Sequence, residues 1–441
     1  MLISLFAILI LIVCIVLIVL FKQKLVGYFN NNFYFFLALL YISNLGYMHI
    51  IQLSLRCCAI ALPWLYIFFA QQGKLKLKSC NLAKLTFLYL LFCLVSMTWS
   101  DSPIQTLFKS LELITDLIVI WELYSCEVSH ETFVIKTIHL LMGTSAAILT
   151  ITMTGFFLVP SYFANTGYSA SHTILGIRIG DGLIGANQAG ALAVLIFAWV
   201  ILLTYKKNIW IYGILFVSML SMLFSQSRSS LILIPVIILL RLFKPRSKYT
   251  TFYMIIIIGV CAIGIINIDL IYSYILRGQS ISELTSLSGR KMMWSYAFEY
   301  IDKRPLFGYG FGAGGEMIGR ILPGAFNGFQ HMHNGVVETL LGTGVIGCVF
   351  ILLQYFYIGI NVFVRVTKTG IKNNLYEIIL LLFFAIRTYT SLGVGSWQSL
   401  EIIVWYVLLF ALSFPKVNIQ ISFKRQKSGK LYENRGVRYF T

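Results

Sequence analysis

Charge is scarce in this chain: of its 441 residues only 11% are Asp, Glu, Lys or Arg, while 59% are hydrophobic. Soluble domains carry about a quarter charged and about half apolar residues, so an ordinary water-soluble domain is excluded. The apolar runs also lack the alternation of a lipid-facing barrel strand. Open sheets and irregular loops leave backbone groups unsatisfied in hydrocarbon, which requires these runs to be helices. The eight cysteines, Cys14, Cys57, Cys58, Cys80, Cys93, Cys126, Cys261 and Cys348, contain no CxxC pair, and neither a disulfide framework nor a zinc site is indicated. The sixteen acidic residues contain no DxD pair, which leaves no obvious carboxylate site for a metal-bound nucleotide sugar. The first apolar run, residues 2–21, has no basic start and no small-residue cleavage site, so a first span is expected in place of a cleaved signal.

What is present is a succession of apolar runs, many long enough to cross roughly 30 Å of hydrocarbon, which takes about 20 helical residues. Candidate spans cover residues 2–21, two short stretches within 33–70, then 82–98, 106–124, 133–159, 186–205, 209–224, 230–243, 252–268, 336–364, 377–392 and 400–414. The expected fold is an all-α polytopic membrane protein of about 12–13 transmembrane helices with one long extracytoplasmic loop. Arg56 interrupts the 33–70 region and leaves the number open.

A net charge of +18 would point to nucleic acid in a soluble chain. Here it follows from the excess of Lys and Arg on cytoplasmic loops, and no nucleic-acid partner is expected. Placing Lys22/Lys24, Lys74/Lys76/Lys78, Lys206/Lys207, residues 241–248, residues 365–372 and the basic tail on one side gathers 21 of the 34 basic residues there. That side is read as cytoplasm. The alternation of spans then sets residues 269–332 outside, together with the loops 99–103 and 160–185 and the turn 225–229. The expected organisation is N-terminal transmembrane helices over 1–98, further helices with outer loops carrying Arg178 and Arg228 over 99–268, the large extracytoplasmic loop over 269–332, C-terminal helices over 333–414 and a basic cytoplasmic tail over 415–441, which is suited to anionic membrane lipid.

Residues 288–347 are polar and punctuated by glycine within this apolar chain. They read SGRKMMWSYAFEYIDKRPLFGYGFGAGGEMIGRILPGAFNGFQHMHNGVVETLLGTGVIG. Three outer elements each present an arginine: Arg178 in GIRIGDG, Arg228 in SQSRSS and Arg290 in SGRKMMW. If they converge, their guanidinium forks suit a phosphate better than lysine does, and a diphosphate is the natural candidate. The competing explanation for each alone is snorkelling to lipid headgroups. It is the preferred one for Arg277, Arg304, Arg320 and Arg387.

His331 and His333 stand where the outer loop enters a span. A neutral imidazole there suits a general base or a partner for a sugar hydroxyl. As metal ligands, HxH supplies only two groups. Asn334 is a candidate helix cap, and Glu338, at membrane depth, is expected to find a polar partner. The run GYGFGAGG, from Gly308 to Gly315, lacks a Walker lysine and follows a proline. Tight packing is expected of it, not nucleotide binding. In residues 106–124, Lys109, Glu112 and Asp116 recur at helical spacing and form one polar face, expected to turn toward a cavity in the bundle.

The segment SGRKMMWSYAFEYIDKRPLFGYGFG followed by HMHNGVVETLLGTGVIG resembles the arginine-tryptophan, proline-phenylalanine-glycine and histidine-asparagine signature of the bacterial O-antigen ligase and O-antigen polymerase superfamily. WSDSPIQTL at 99–107, IGANQAG at 184–190 and SQSRSSL at 225–231 resemble its supporting motifs. The resemblance spans roughly residues 99–347. It implies a metal-independent, inverting glycosyltransferase that needs no cofactor and moves a glycan from undecaprenyl diphosphate to an acceptor sugar at the outer leaflet.

Carried over residue by residue, the resemblance implies that Arg178, Arg228 and Arg290 hold the diphosphate. It makes His333 the activating residue, and His333 and Arg290 are the expected catalytic pair; His331, Asn334, Glu338 and Arg387 are accessory candidates beside them. The local motif at Arg178 departs most from the family pattern. The implied partners are an undecaprenyl-diphosphate-linked oligosaccharide, an acceptor glycan or lipid A-core, membrane lipid, and chain-length regulator and flippase proteins. The implied setting is the cytoplasmic membrane of a bacterium, with the site on the extracytoplasmic side. Lipopolysaccharide or exopolysaccharide polymerisation is favoured over ligation to lipid A-core. A polysaccharide or lipid-linked-sugar transporter is the rival from another class, but it should show inverted repeats and broken helices at mid-membrane, whereas the polarity here gathers in one outer loop.

Overall fold

The computed structural model describes residues 31–45, 49–127, 129–165, 177–180, 182–203, 209–242, 290–314, 317–318, 331–391, 393–396 and 399–413. The first expected span, the span at 252–268, most of the outer loop and the basic tail lie outside the described residues. What is described is helical and fits the expected all-α polytopic membrane fold. In chain order the helices are α1 Asn32–Ser43, α2 His49–Leu65, α3 Asn81–Val95, α4 Pro103–Cys126, α5 His130–Leu158, α6 Ala186–Ala198, α7 Ile209–Ser225, α8 Arg228–Leu242, α9 Arg290–Lys303, α10 Gly335–Thr369, α11 Leu375–Thr390 and α12 Leu400–Leu412. Between α5 and α6 a two-residue antiparallel ribbon pairs β1 Ala164–Asn165 with β2 Arg178–Ile179, setting Asn165 opposite Arg178.

Among the described residues five helical stretches are long and apolar enough to cross a membrane: Gln52–Ala70, Asn81–Trp99, Thr132–Leu158, Ala186–Leu203 and Gly335–Thr369. The helices α1, α7 and α12 are shorter but apolar. Every residue of α12 is buried, the state expected of a helix that is hydrophobic all round. It packs on α4, α5 and α10 at the centre of the bundle.

The polar face of α4 is filled by partners instead of facing an open cavity. Lys109 donates to the Gly312 carbonyl at 3.0 Å, and Glu112 pairs with Arg56 of α2 through both carboxylate oxygens. One turn on, Thr115 accepts from the Trp64 indole at 2.9 Å. An arginine inside an apolar span is tolerable when a carboxylate on a neighbouring helix meets it, and this explains the interruption at Arg56.

The apolar run that predicts one helix over 336–364 is broken. Gly344 sits at φ 66, ψ −163, a region essentially reserved for glycine. The break frees the carbonyls of Leu341 and Gly342 and the amides of Val345 and Ile346 from their helical partners. The chain at 305–310 takes up all four: Tyr309 and Gly310 amides donate to Leu341 and Gly342 at 2.7 and 2.8 Å, while Val345 and Ile346 donate to Pro305 and Leu306 at 2.8 and 3.4 Å. Buried backbone groups need such partners.

Close approach explains the glycines of this loop. A Cβ on Gly308 would lie 2.5 Å from the Leu341 carbonyl oxygen, and one on Gly310 would lie 2.3 Å from Ser100 Cβ. The loop's other side is clamped by Ser96, Thr106 and Lys109, through the Phe311 amide and the Phe311 and Gly312 carbonyls. The 99–107 motif is thus the seat of the glycine loop.

Candidate active site

The segment that follows residue 289 is tied to the helical bundle by α9. A second apolar cluster packs Ala297 and Ile301 of this helix, with Trp294 and Tyr300 at its edge, against Tyr309, Met332, Val337 and Leu341. Arg290 and Trp294, four residues apart, share one helix face. Each reaches a backbone carbonyl on a different element. Arg290 Nη1 donates to Thr390 at 2.7 Å, in the last turn of α11, where unsatisfied carbonyls carry partial negative charge. Trp294 Nε1 donates to Met332 at 2.8 Å.

Met332 lies between the two histidines and is fixed at both ends of its backbone. Its carbonyl accepts from Trp294, and its amide donates to Glu338 Oε2 at 2.9 Å. The polar partner expected of Glu338 is this amide. Asn334 caps α10, its side chain accepting from the amides of Val336 and Val337 at 2.9 and 3.2 Å. Held between these anchors, His333 adopts φ +50, a left-handed conformation uncommon outside glycine although histidine is among the residues that enter it more readily. The two imidazoles meet edge to face with centroids 4.0 Å apart.

Arginines from two helices, Arg290 of α9 and Arg387 of α11, act on this pair, and Arg228 of α8 acts in turn on Arg290. Burial lowers the Arg290 pKa, and the charges of Arg228 and Arg387 lower it further. Burial drives His333 down to about 2, with His331, Arg290 and Arg387 adding to the effect. His331 falls to about 4 through burial, then through Arg290 and Lys109. Both imidazoles are therefore neutral at physiological pH, in the form that accepts a proton.

The turn that carries Arg228 is built by scattered motifs. Gln226 has φ 51, and Gly190 of α6 lies so close that a Cβ there would come within 2.8 Å of Ser225, Ser227 and Ser230. The 184–190 and 225–231 motifs are thereby brought into contact. Arg178 supports the same turn, its Nε donating to the Ser225 carbonyl at 2.8 Å and its Nη2 to Asn187 Oδ1 at 3.2 Å. The structure sets Arg290 and Arg387 beside His333, brings the charge of Arg228 to bear on Arg290, and has Arg178 brace the turn that presents Arg228. Arg304 lies at the surface, 3.5 Å from Asp101 and over the Tyr309 ring. Arg277 and Arg320 lie outside the described residues.

Sequence reasoning did not find Lys109 as a neighbour of His331, nor the pinning of Met332 by Trp294. The second had a visible signal in the four-residue spacing of Arg290 and Trp294. The first depends on the glycine loop folding back onto α4.

A helical bundle with apolar membrane-length helices defines a polytopic membrane protein, and in it Arg290 and Arg387 stand beside two neutral histidines. Residues 213–352 match the family model described as O-antigen ligase. The match bears out the resemblance to the O-antigen ligase and polymerase superfamily and supports a membrane enzyme of that type. It includes Arg228, Arg290, His331, His333, Asn334 and Glu338, and excludes Arg178 and Arg387. Comparison with curated proteins gives no match.

Proposed function

We propose that the protein is an O-antigen or exopolysaccharide polymerase: a membrane glycosyltransferase that moves a glycan from undecaprenyl diphosphate to an acceptor sugar at the outer leaflet of a bacterial cytoplasmic membrane. The observation that carries this is Arg290, whose charge acts on the fixed, neutral His333 and is itself acted on by Arg228. Arg228 and Arg290 hold the donor diphosphate, with Arg178 bracing the turn that carries Arg228. The acceptor hydroxyl attacks the anomeric carbon from the side opposite the diphosphate, so the new glycosidic bond forms as the carbon–oxygen bond to the diphosphate breaks. Undecaprenyl diphosphate leaves, His333 takes the hydroxyl proton, and the anomeric centre is inverted. Preplaced guanidinium groups stabilise the negative charge as it develops on the leaving group.

An imidazole with so low a proton affinity is a weak base in the empty site. The donor changes this: its diphosphate offsets the arginine charges that oppose protonation, and His333 becomes more basic once the donor is bound. Base strength is thus coupled to occupancy by the correct substrate.

The test is gel analysis of surface glycan in a strain lacking the gene. Loss of a polymerase leaves single-repeat products. Full-length polymer still joined to lipid carrier would instead identify a ligase that transfers to lipid A-core, and unchanged glycan modality with precursor retained inside the cell would identify a transporter.

A further inference from the structure

The last turn of α11 and the first turn of α12 face each other through a buried ion pair. Arg387 Nη2 donates to Glu401 Oε1 at 2.6 Å and Nε to Oε2 at 3.3 Å, with each side chain only 5% exposed. Ser399 caps α12 through the Ile402 amide and sets Glu401 in the first turn, where the helix dipole favours a carboxylate. The fork fixes the plane and direction of the guanidinium.

Stability alone is a poor reason for such a pair. Removing two charges from water offsets most of what their attraction returns, and well-packed apolar side chains at the same positions commonly serve a fold as well or better. The surroundings supply another reason. Three residues beyond Arg387, the Thr390 carbonyl is the dock for Arg290. The helix α8, which begins at Arg228, packs on α11. The end of α11 therefore carries Arg387 and the docked Arg290, the charge of Arg228 acts on Arg290, and the charge of Arg387 acts on both Arg290 and His333. Like charges gather in this way where an anion is to be received. Glu401 offsets the charge that has to be built deepest and keeps its side chain in one geometry.

We infer that Glu401 is a positioning residue that holds Arg387 as a third guanidinium for the donor diphosphate, beside Arg228 and Arg290. This rests on the diphosphate role proposed above and adds a member that the O-antigen ligase match, ending at residue 352, does not reach.

The experiment uses the full chain in lipid nanodiscs with farnesyl diphosphate as the binding probe, read by calorimetry beside a thermal melt. Glu401→Gln keeps the shape and removes the charge. It is expected to weaken probe binding by about tenfold to a hundredfold, the size of a lost charge-assisted hydrogen bond, and Glu401→Asp should recover part of the loss. The double variant Arg387→Met/Glu401→Met removes both charges together and is expected to melt at or above the wild-type temperature while binding the probe as weakly as Glu401→Gln. Wild-type affinity in the folded double variant would overturn the inference and leave the diphosphate site intact. A double variant that no longer folds would assign the pair to the fold and also overturn it. Absence of saturable binding in the wild type would instead overturn the diphosphate reading itself.

Discussion

The indole of Trp294 donates to the carbonyl of Met332 at 2.8 Å, so a side chain on α9 fixes the backbone between the two histidines of the site. Phenylalanine at 294 would keep an apolar ring against the cluster that contains Ala297, Val337 and Leu341 and lose this bond. A neutral hydrogen bond contributes about 0.5 to 1.5 kcal/mol, so Trp294→Phe is expected to fold normally and to lower glycan transfer by about two- to tenfold per folded molecule. Transfer assays normalised to the folded fraction check this.

Gly344→Ala tests the broken helix. Its backbone angles belong to a glycine region in which other residues are strained by about 1 to 3 kcal/mol, and a Cβ would lie 2.3 Å from Leu306 backbone atoms. A clear fall in melting temperature and in abundance is expected. Gly213→Ala, where nothing lies within 4 Å, is the control and should stabilise α7 by about 0.5 to 1 kcal/mol.

The histidine environment fixes the sign of a pH effect. An imidazole accepts a proton only above its pKa, and both histidines lie below the ordinary 6.5, His331 at about 4 and His333 at about 2. The acid limb of kcat/KM, which reports the free enzyme, should be absent down to about pH 5, while the limb in kcat, which reports the donor complex, should lie at higher pH. A kcat/KM profile that halves near pH 6.5 would contradict the burial of His333.

Arg290→Lys keeps the charge and removes the fork. Hydrogen bonds to charged groups contribute about 1.5 to 3 kcal/mol each, so transfer should fall by about tenfold to a hundredfold. Wild-type turnover in a folded lysine variant would show that bidentate geometry at 290 is dispensable.

Much of the scaffold was legible because span boundaries follow from apolar runs: expected spans at 82–98, 133–159 and 209–224 correspond to Asn81–Trp99, His130–Leu158 and Ile209–Ser225. The break at Gly344 was not legible, since glycine and threonine at 342–344 are ordinary within an apolar span and the signal is one backbone conformation. At the site, Arg228, Arg290 and His333 stood out because each interrupts an apolar or glycine-rich context. Arg387 read as an interfacial arginine with an accessory role and no partner in view. Its partner Glu401 lies on the next helix, and its neighbours Arg290 and Arg228 are about 100 and 160 positions away in sequence, so only packing of α8, α9 and α11 reveals the group. Arg178 read as a phosphate ligand, and its hold on the Ser225 carbonyl was not legible because side-chain type does not reveal a backbone partner 47 residues away.

The most direct test of the central claim, that His333 accepts the acceptor proton at a site whose arginines hold the donor, is glycan transfer by His333→Ala normalised to folded protein, with lipid-linked donor binding measured in parallel. General base catalysis typically contributes about 10² to 10⁴ in rate, so turnover should fall by that order while donor affinity persists, and His331→Ala should cost less. Full normalised turnover in His333→Ala would contradict the account, and a larger loss in His331→Ala would move the base to that histidine.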